Sequence, residues 1–384
     1  MSKQFATQLA SHLAASGNLP APWHEHYTVV PRHHFIPDVA WVVPDETGSD
    51  PYPIDRNQDA PGWLRAVYSD ASIVTQLDAG TGDLRTGKGT PTSSCSAPGI
   101  VFPMLQALDL LDGHKVLEIG TGSGWTAALL SARLGSQYVT SIEVDADVAA
   151  RAAEAIPRTG YTPHLITADG ADGYTPNAPY DRVHATCAVE RVPSAWVRDT
   201  RPGGVIVVPW RPTYGHGLLA RLVVTSTGQA IGRFERTASF MMLRSQQRAI
   251  GWTPHDTEGA TTDQATLDPR TIINAPAGAA LAIAALAPSL TQTVITDPGG
   301  DVSLLLSEAD APKGAWAAVD YSAGQDTYTV TWWGQRNLWA QVTDAYLQWV
   351  SWGQPDRARY GITVTPEEQV LWLDHPGRCV TPYA

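Results

Sequence analysis

The run VLEIGTGSGW, residues 116–125, constrains this chain more than any other segment. A short apolar strand leads into Gly120, Gly122 and Gly124, and an Ala- and Leu-rich helical segment leaves them. Glycines are needed where the backbone turns sharply at a strand end and a ligand must approach without meeting Cβ atoms. The pattern then repeats. Strands are predicted at 115–119, 138–143, 162–167, 182–186 and 205–209, with helices at 123–134 and 145–156. Alternation at this spacing implies a parallel sheet covered on both faces, a doubly wound, Rossmann-like α/β domain. An antiparallel hairpin is expected at its edge, over 218–226 and 229–235, turning at Thr227-Gly228.

Around this unit the pattern changes. Residues 2–16 read as an amphipathic helix closed by Gly17-Asn18. Residues 37–62 are rich in Pro, Gly and Asp and read as a long irregular excursion. Residues 78–94 are rich in Gly, Ser and Thr. Residues 251–269 read as a polar linker, dividing a domain over 1–250 from a smaller C-terminal α+β domain over 270–384. Strands are expected there at 302–306, 316–321 and 327–332, and a helix at 337–352 with Leu338, Val342, Ala345, Trp349 and Trp352 near one face.

Composition narrows the function. The 384 residues suit two domains, and 43% hydrophobic with 17% charged residues suits a real core. A net charge of -12 without a basic strip argues against nucleic acid. Cys95, Cys187 and Cys379 match neither a zinc site nor a disulfide framework, so no metal is expected. Neither a signal peptide nor a membrane span is apparent, so a cytoplasmic setting is expected.

Four features agree on a ligand for the glycine turn. The spacing is G-x-G-x-G, not the dinucleotide G-x-G-x-x-G. Glu118 precedes the glycines, where an acid suits a cationic ligand better than a pyrophosphate. Glu143 ends the next strand, where a carboxylate accepts from both ribose hydroxyls. Asp169-Gly170 follows the third strand, where an acid meets an adenine amino group. The set favours S-adenosylmethionine over a nicotinamide dinucleotide, and over a turn with no ligand at all.

Ordered motifs carry the reading further. VPRHHFIP (30–37), Tyr68-Ser69-Asp70, CSAPGIVFPMLQAL (95–108), VLEIGTGSGW, Asp169-Gly170, 185–188 before Val192-Pro193, and RPGGVIVVPW (201–210) follow one another in the chain. Over roughly 30–234 this resembles the protein-L-isoaspartate O-methyltransferase family. The resemblance implies methyl transfer from S-adenosylmethionine to a peptide carboxylate. It implies a cofactor site of Glu118, Gly120, Thr121, Gly122, Ser123, Gly124, Glu143, Val144, Asp169, Gly170 and Thr186. It places Asp70, Ser94, Ser96, Pro98 and Ala188 on the substrate side, with Ser96 as the catalytic hydroxyl. Local sequence leaves alternatives: Ser96 as a helix cap and Asp70 as a turn former. His33 and His34 read as packing or surface residues, and Cys95 and Cys187 as small core residues.

The chemistry asks for alignment of oxygen, methyl carbon and sulfur, and an ionised carboxylate needs no general base. The chain departs from the compact family pattern in three places. These are the residues between 37 and 68, the enlarged segment before Ser96, and the C-terminal domain. Those departures resemble a branch that methylates an ordinary aspartate in a cyclised ribosomal peptide such as a lanthipeptide, graspetide or lasso peptide, the ester then closing to an aspartimide. The alternatives are a general repair enzyme acting on L-isoaspartyl residues, or a non-catalytic adaptor that keeps the fold.

Overall fold

The computed structural model describes residues 1–45, 48–248, 259–309, 311 and 314–381. Three sheets organise them. The first is antiparallel and built from β1 (Val39–Pro44), β2 (Tyr52–Asp55), β3 (Ala71–Leu77) and β4 (Pro91–Cys95), in the order β2-β1-β3-β4. The expected irregular excursion over 37–62 is therefore largely ordered. Ala40 and Val42 are buried at a period of two, which is what a strand needs. The Pro-, Gly- and Asp-rich composition belongs to its turns and to the start of the helix Ala60–Val67, which Asp59 caps at the Gly62 N–H.

The second sheet holds nine strands. Its parallel half is β5 (Val116–Ile119), β6 (Val139–Glu143), β7 (His164–Thr167), β8 (Tyr180–Ala185) and β9 (Thr200–Trp210). Hairpin strands β10 (Leu218–Val224) and β11 (Ala230–Thr237) extend it antiparallel. The strand order is β7-β6-β5-β8-β9-β10-β11, so the direction of winding reverses between β5 and β8. In a doubly wound sheet a ligand binds in the crevice at that reversal.

The third sheet is antiparallel, ordered β12-β16-β15-β14-β13. Its strands are β12 (Thr261–Ala265), β13 (Leu290–Thr296), β14 (Val302–Glu308), β15 (Trp316–Tyr321) and β16 (Tyr328–Trp333). The chain then returns to the second sheet. β17 (Tyr360–Val364) pairs with β11 and β18 (Gln369–Leu373) pairs with β17. The β10–β11 hairpin thus lies inside the sheet, and β18 makes its edge.

A boundary at 251–269 does not separate two independent cores. Residues 251–258 lie outside the described residues, β12 occupies 261–265, and Pro269 starts a helix. The helix Ala277–Leu286 has an almost wholly apolar surface, which suits a helix packed on more than one side. Leu281 joins the core of the nine-stranded sheet, while Ile283 joins that of the third sheet. The helix Leu338–Ser351 does the same through Trp349 and Val342.

Candidate active site

The glycine turn leaves β5 at the reversal point. Gly122 has φ +55 and Gly124 φ +90, left-handed values that side chains with a Cβ seldom adopt. A Cβ on Gly124 would stand 2.8 Å from Ile156, so the turn is pressed onto the following layer. Glu143, at the end of β6, closes the turn. Its Oε2 accepts the Gly122 N–H at 2.8 Å and its Oε1 accepts the Asp145 N–H at 3.1 Å. A carboxylate offers about four acceptor positions, so two remain for ribose hydroxyls. Val144, the next residue, is 40% exposed.

Glu118 is completely buried, in register with Ser141 on one side and His184 on the other. Ser141 Oγ donates to Glu118 Oε2 at 2.5 Å and stands 2.6 Å from Thr121 Oγ1, whereas Oε1 has no partner among the described residues. Burial pushes this carboxyl up to about 8, against the Ser141 hydrogen bond and with the charge of Glu143 adding to it. A buried carboxyl oxygen without a donor suits a cationic ligand supplying one. His184, not singled out from sequence, is also buried, and burial alone pulls it down to about 3.

The remaining cofactor candidates converge here. Asp169 follows β7 and accepts the Ala171 N–H at 2.9 Å. The Trp196 indole N–H donates to Gly170 O at 2.7 Å. Thr186 Oγ1 donates to Ile119 O at 3.0 Å and also to Gly120 O, pinning the end of β5. Ser123 completes the turn ahead of the helix Trp125–Leu134.

The substrate-side residues come from β4 and the helix behind it. A Cβ on Gly122 would lie 3.4 Å from Ser94 O, so the end of β4 runs directly beside the glycine turn. Ser96 follows, half-buried, and does not cap the helix Pro98–Ala107, whose N-cap is Ala97. Pro98 is the buried first residue of that helix. Asp70 is turned into the helix: its Oδ1 accepts the Gly99 N–H at 2.7 Å. It therefore holds the Ser96 turn from behind. Ala188 is buried and its backbone pairs with Met241 and Leu243. Cys95 is buried as expected; Cys187 is half-buried, and burial pushes its thiol up to about 12.

Two features escaped the sequence reading. Residues 240–248 cross the carboxyl ends of the strands as a strap. Arg244 pairs with Asp145 at 3.3 Å, Ser245 Oγ donates to Asp169 at 3.4 Å, and Gln246 Oε1 accepts the N–H groups of Glu190 and Arg191. No local pattern marks such a segment. The second is Arg32, fully buried within the VPRHHFIP motif. Its sequence signal was its place in that motif, just before the histidines read as packing or surface residues.

A doubly wound sheet, a glycine turn closed by Glu143, and a buried acid beneath it define an S-adenosylmethionine-dependent methyltransferase. The family model described as protein-L-isoaspartate(D-aspartate) O-methyltransferase matches residues 53–248. The chain belongs to that family and is a carboxyl O-methyltransferase. A protein-L-isoaspartate O-methyltransferase of Ignicoccus hospitalis is 38% identical over 153 residues, 39% of this chain and 72% of that protein. Protein-L-isoaspartate O-methyltransferase 2 of Archaeoglobus fulgidus is 31% identical over 204 residues, 53% of this chain and 76% of that one. A solved protein-L-isoaspartate O-methyltransferase structure superposes with a TM-score of 0.54 at 19% identity, covering 96% of this chain and 100% of that one. A fold likeness of this extent reaches beyond the matched core into the C-terminal region.

Proposed function

We propose that this enzyme methylates the free carboxylate of L-isoaspartyl residues in peptides or proteins, the first step of their repair. The observation that supports the reading is the approach of Ser94 O, two residues before Ser96, to the Gly122 turn. Relatives bearing the isoaspartate activity in their names support the substrate. Glu118, Gly120, Thr121, Gly122, Ser123, Gly124, Glu143, Val144, Asp169, Gly170 and Thr186 would hold S-adenosylmethionine, which supplies an electrophilic methyl group on a sulfonium. The chain's own task is placement. Ser96 Oγ donates to one carboxylate oxygen and leaves the other free to attack. No side chain has to remove a proton, because the carboxylate is already ionised at neutral pH.

A second reading has one observation in its favour. The β1–β2 hairpin and the 78–90 loop lock together, with Gly87 against the Trp41 ring and Arg85 3.4 Å from Asp55. This extra wall suits a constrained substrate, an aspartate in a cyclised ribosomal precursor peptide. There the next backbone nitrogen would attack the ester and expel methanol, giving an aspartimide. The C-terminal region does not favour this reading, since a solved isoaspartate methyltransferase aligns across it.

Mass spectrometry of a linear isoaspartyl peptide and of a cyclised precursor, each with enzyme and S-adenosylmethionine, separates the two. Methylation of the linear peptide is the expected result. Methylation of the cyclised precursor alone, followed by methanol loss, would replace it with the second reading. Ser96→Ala should impair transfer and leave S-adenosylhomocysteine binding intact; equal loss of both would make Ser96 structural.

A further inference from the structure

Arg32 has no exposed surface, and its hydrogen bonds among the described residues do not go to carboxylates. Its guanidinium is instead surrounded by five backbone carbonyls. Nη1 donates to Val67 O at 2.8 Å and Ser69 O at 3.1 Å. Nη2 donates to Ala71 O at 2.8 Å, Cys95 O at 3.2 Å and Ser96 O at 2.9 Å. The group also lies 5.3 Å from the centre of the Trp125 ring, directly after the glycine turn. One side chain thus ties together the segment leading to Asp70, the Ser96 turn and the cofactor helix.

The carbonyl directions matter more than the number of bonds. The peptide groups after Cys95 and after Ser96 are trans, so each N–H points opposite to its C=O. Both carbonyls face Arg32, and the N–H groups of Ser96 and Ala97 therefore point away from it. Among the described residues neither N–H donates to a backbone acceptor. A carbonyl that accepts from a cation also polarises its own peptide group, which strengthens the N–H on the far side as a donor.

We infer that Arg32 is a positioning residue for methyl transfer: it turns the Ser96 and Ala97 amides outward as a polarised cradle for the substrate carboxylate, beside the Ser96 hydroxyl. This rests on the reading that the methylated carboxylate meets Ser96. The two-pronged fork explains why arginine is required: its two terminal nitrogens spread four N–H groups over five carbonyls, whereas a lysine ammonium has three donors at a single point.

The test uses full-length protein loaded with S-adenosylhomocysteine and labelled with 15N. Acetate serves as the carboxylate probe. In the wild type the Ser96 and Ala97 amide resonances should shift on titration. In Arg32→Met they should not, and Arg32→Lys should respond weakly. With an isoaspartyl peptide, Arg32→Met should raise KM about tenfold or more, the scale of lost charge-assisted hydrogen bonding, at unchanged S-adenosylhomocysteine affinity. Silent amides in the wild type would overturn the inference, and so would a wild-type response in Arg32→Met. Parallel loss of cofactor affinity and KM would reduce Arg32 to a structural residue. Should Arg32→Met not fold, the wild-type titration and Arg32→Lys still decide. Failure of the wild type to methylate the peptide, with an intact acetate response, would sink the substrate reading and leave the cradle standing.

Discussion

Glu143 Oε2 accepts the backbone N–H of Gly122 at 2.8 Å, joining the end of β6 to the turn that leaves β5. The carboxylate has a structural duty and a ligand duty at once. Glu143→Ala removes both, so S-adenosylhomocysteine affinity should fall by about tenfold or more, the equivalent of one or two hydrogen bonds to a charged group. Calorimetric titration checks it. Glu143→Ala binding at wild-type strength would remove Glu143 from the cofactor site.

Glu118 gives the cofactor-free protein a pH dependence. Its folded-state value stands near 8, against an ordinary value of 4.5. Between those values the folded chain holds a proton that the unfolded chain has released. This contribution to stability is therefore complete below about pH 4.5 and is lost as pH rises through 8, then levels off. Glu118→Gln should flatten that part of the profile. Melting curves from pH 5 to 9, wild type against variant, measure the difference; identical slopes would contradict the assignment.

Asp70 is expected to act through the helix it caps. Asp70→Ala removes the acceptor of the Gly99 N–H and should cost about 1 kcal/mol in denaturant unfolding. Methyl transfer should weaken because the Ser96 turn loses its support, while S-adenosylhomocysteine binding holds. A variant with normal stability and lost transfer would instead place Asp70 on the substrate.

A chain ended at residue 250 should not fold to a soluble enzyme. It lacks β17 and β18, which cover the edge of β11, and the helices that share Leu281 and Trp349 with the main core. An exposed strand edge of that kind invites aggregation. Gel filtration and cofactor binding of the truncated chain test this, and a monomeric, cofactor-binding product would show that the C-terminal region is dispensable.

Local chemistry made much of this molecule legible in one dimension. Gly120, Gly122 and Gly124 after an apolar run mark a sharp turn at a strand end where a ligand can approach the backbone. Alternation placed β5 to β9, β10 and β11 to within a few residues. Glu118, Glu143 and Asp169 follow from the same logic, since each stands at a strand end or within two residues of it. β1 and β2 were hidden because their turns carry most of the Pro, Gly and Asp. The helix Ala277–Leu286 was hidden because a helix buried on several sides shows no amphipathic period.

What only the tertiary structure decided are the partnerships. Nothing in the neighbours of Arg32 announces that its fork meets carbonyls 35 to 64 residues away. Nothing near residue 360 announces a strand for β11, or near residue 244 a partner for Asp145. The sequence by itself determined the type of each element and the class of chemistry, because those depend on periodicity and on backbone freedom at single positions. Which side of Asp70 faces the helix, and which way the Ser96 amides point, depend on contacts between distant segments, and those exist only once the chain has closed on itself.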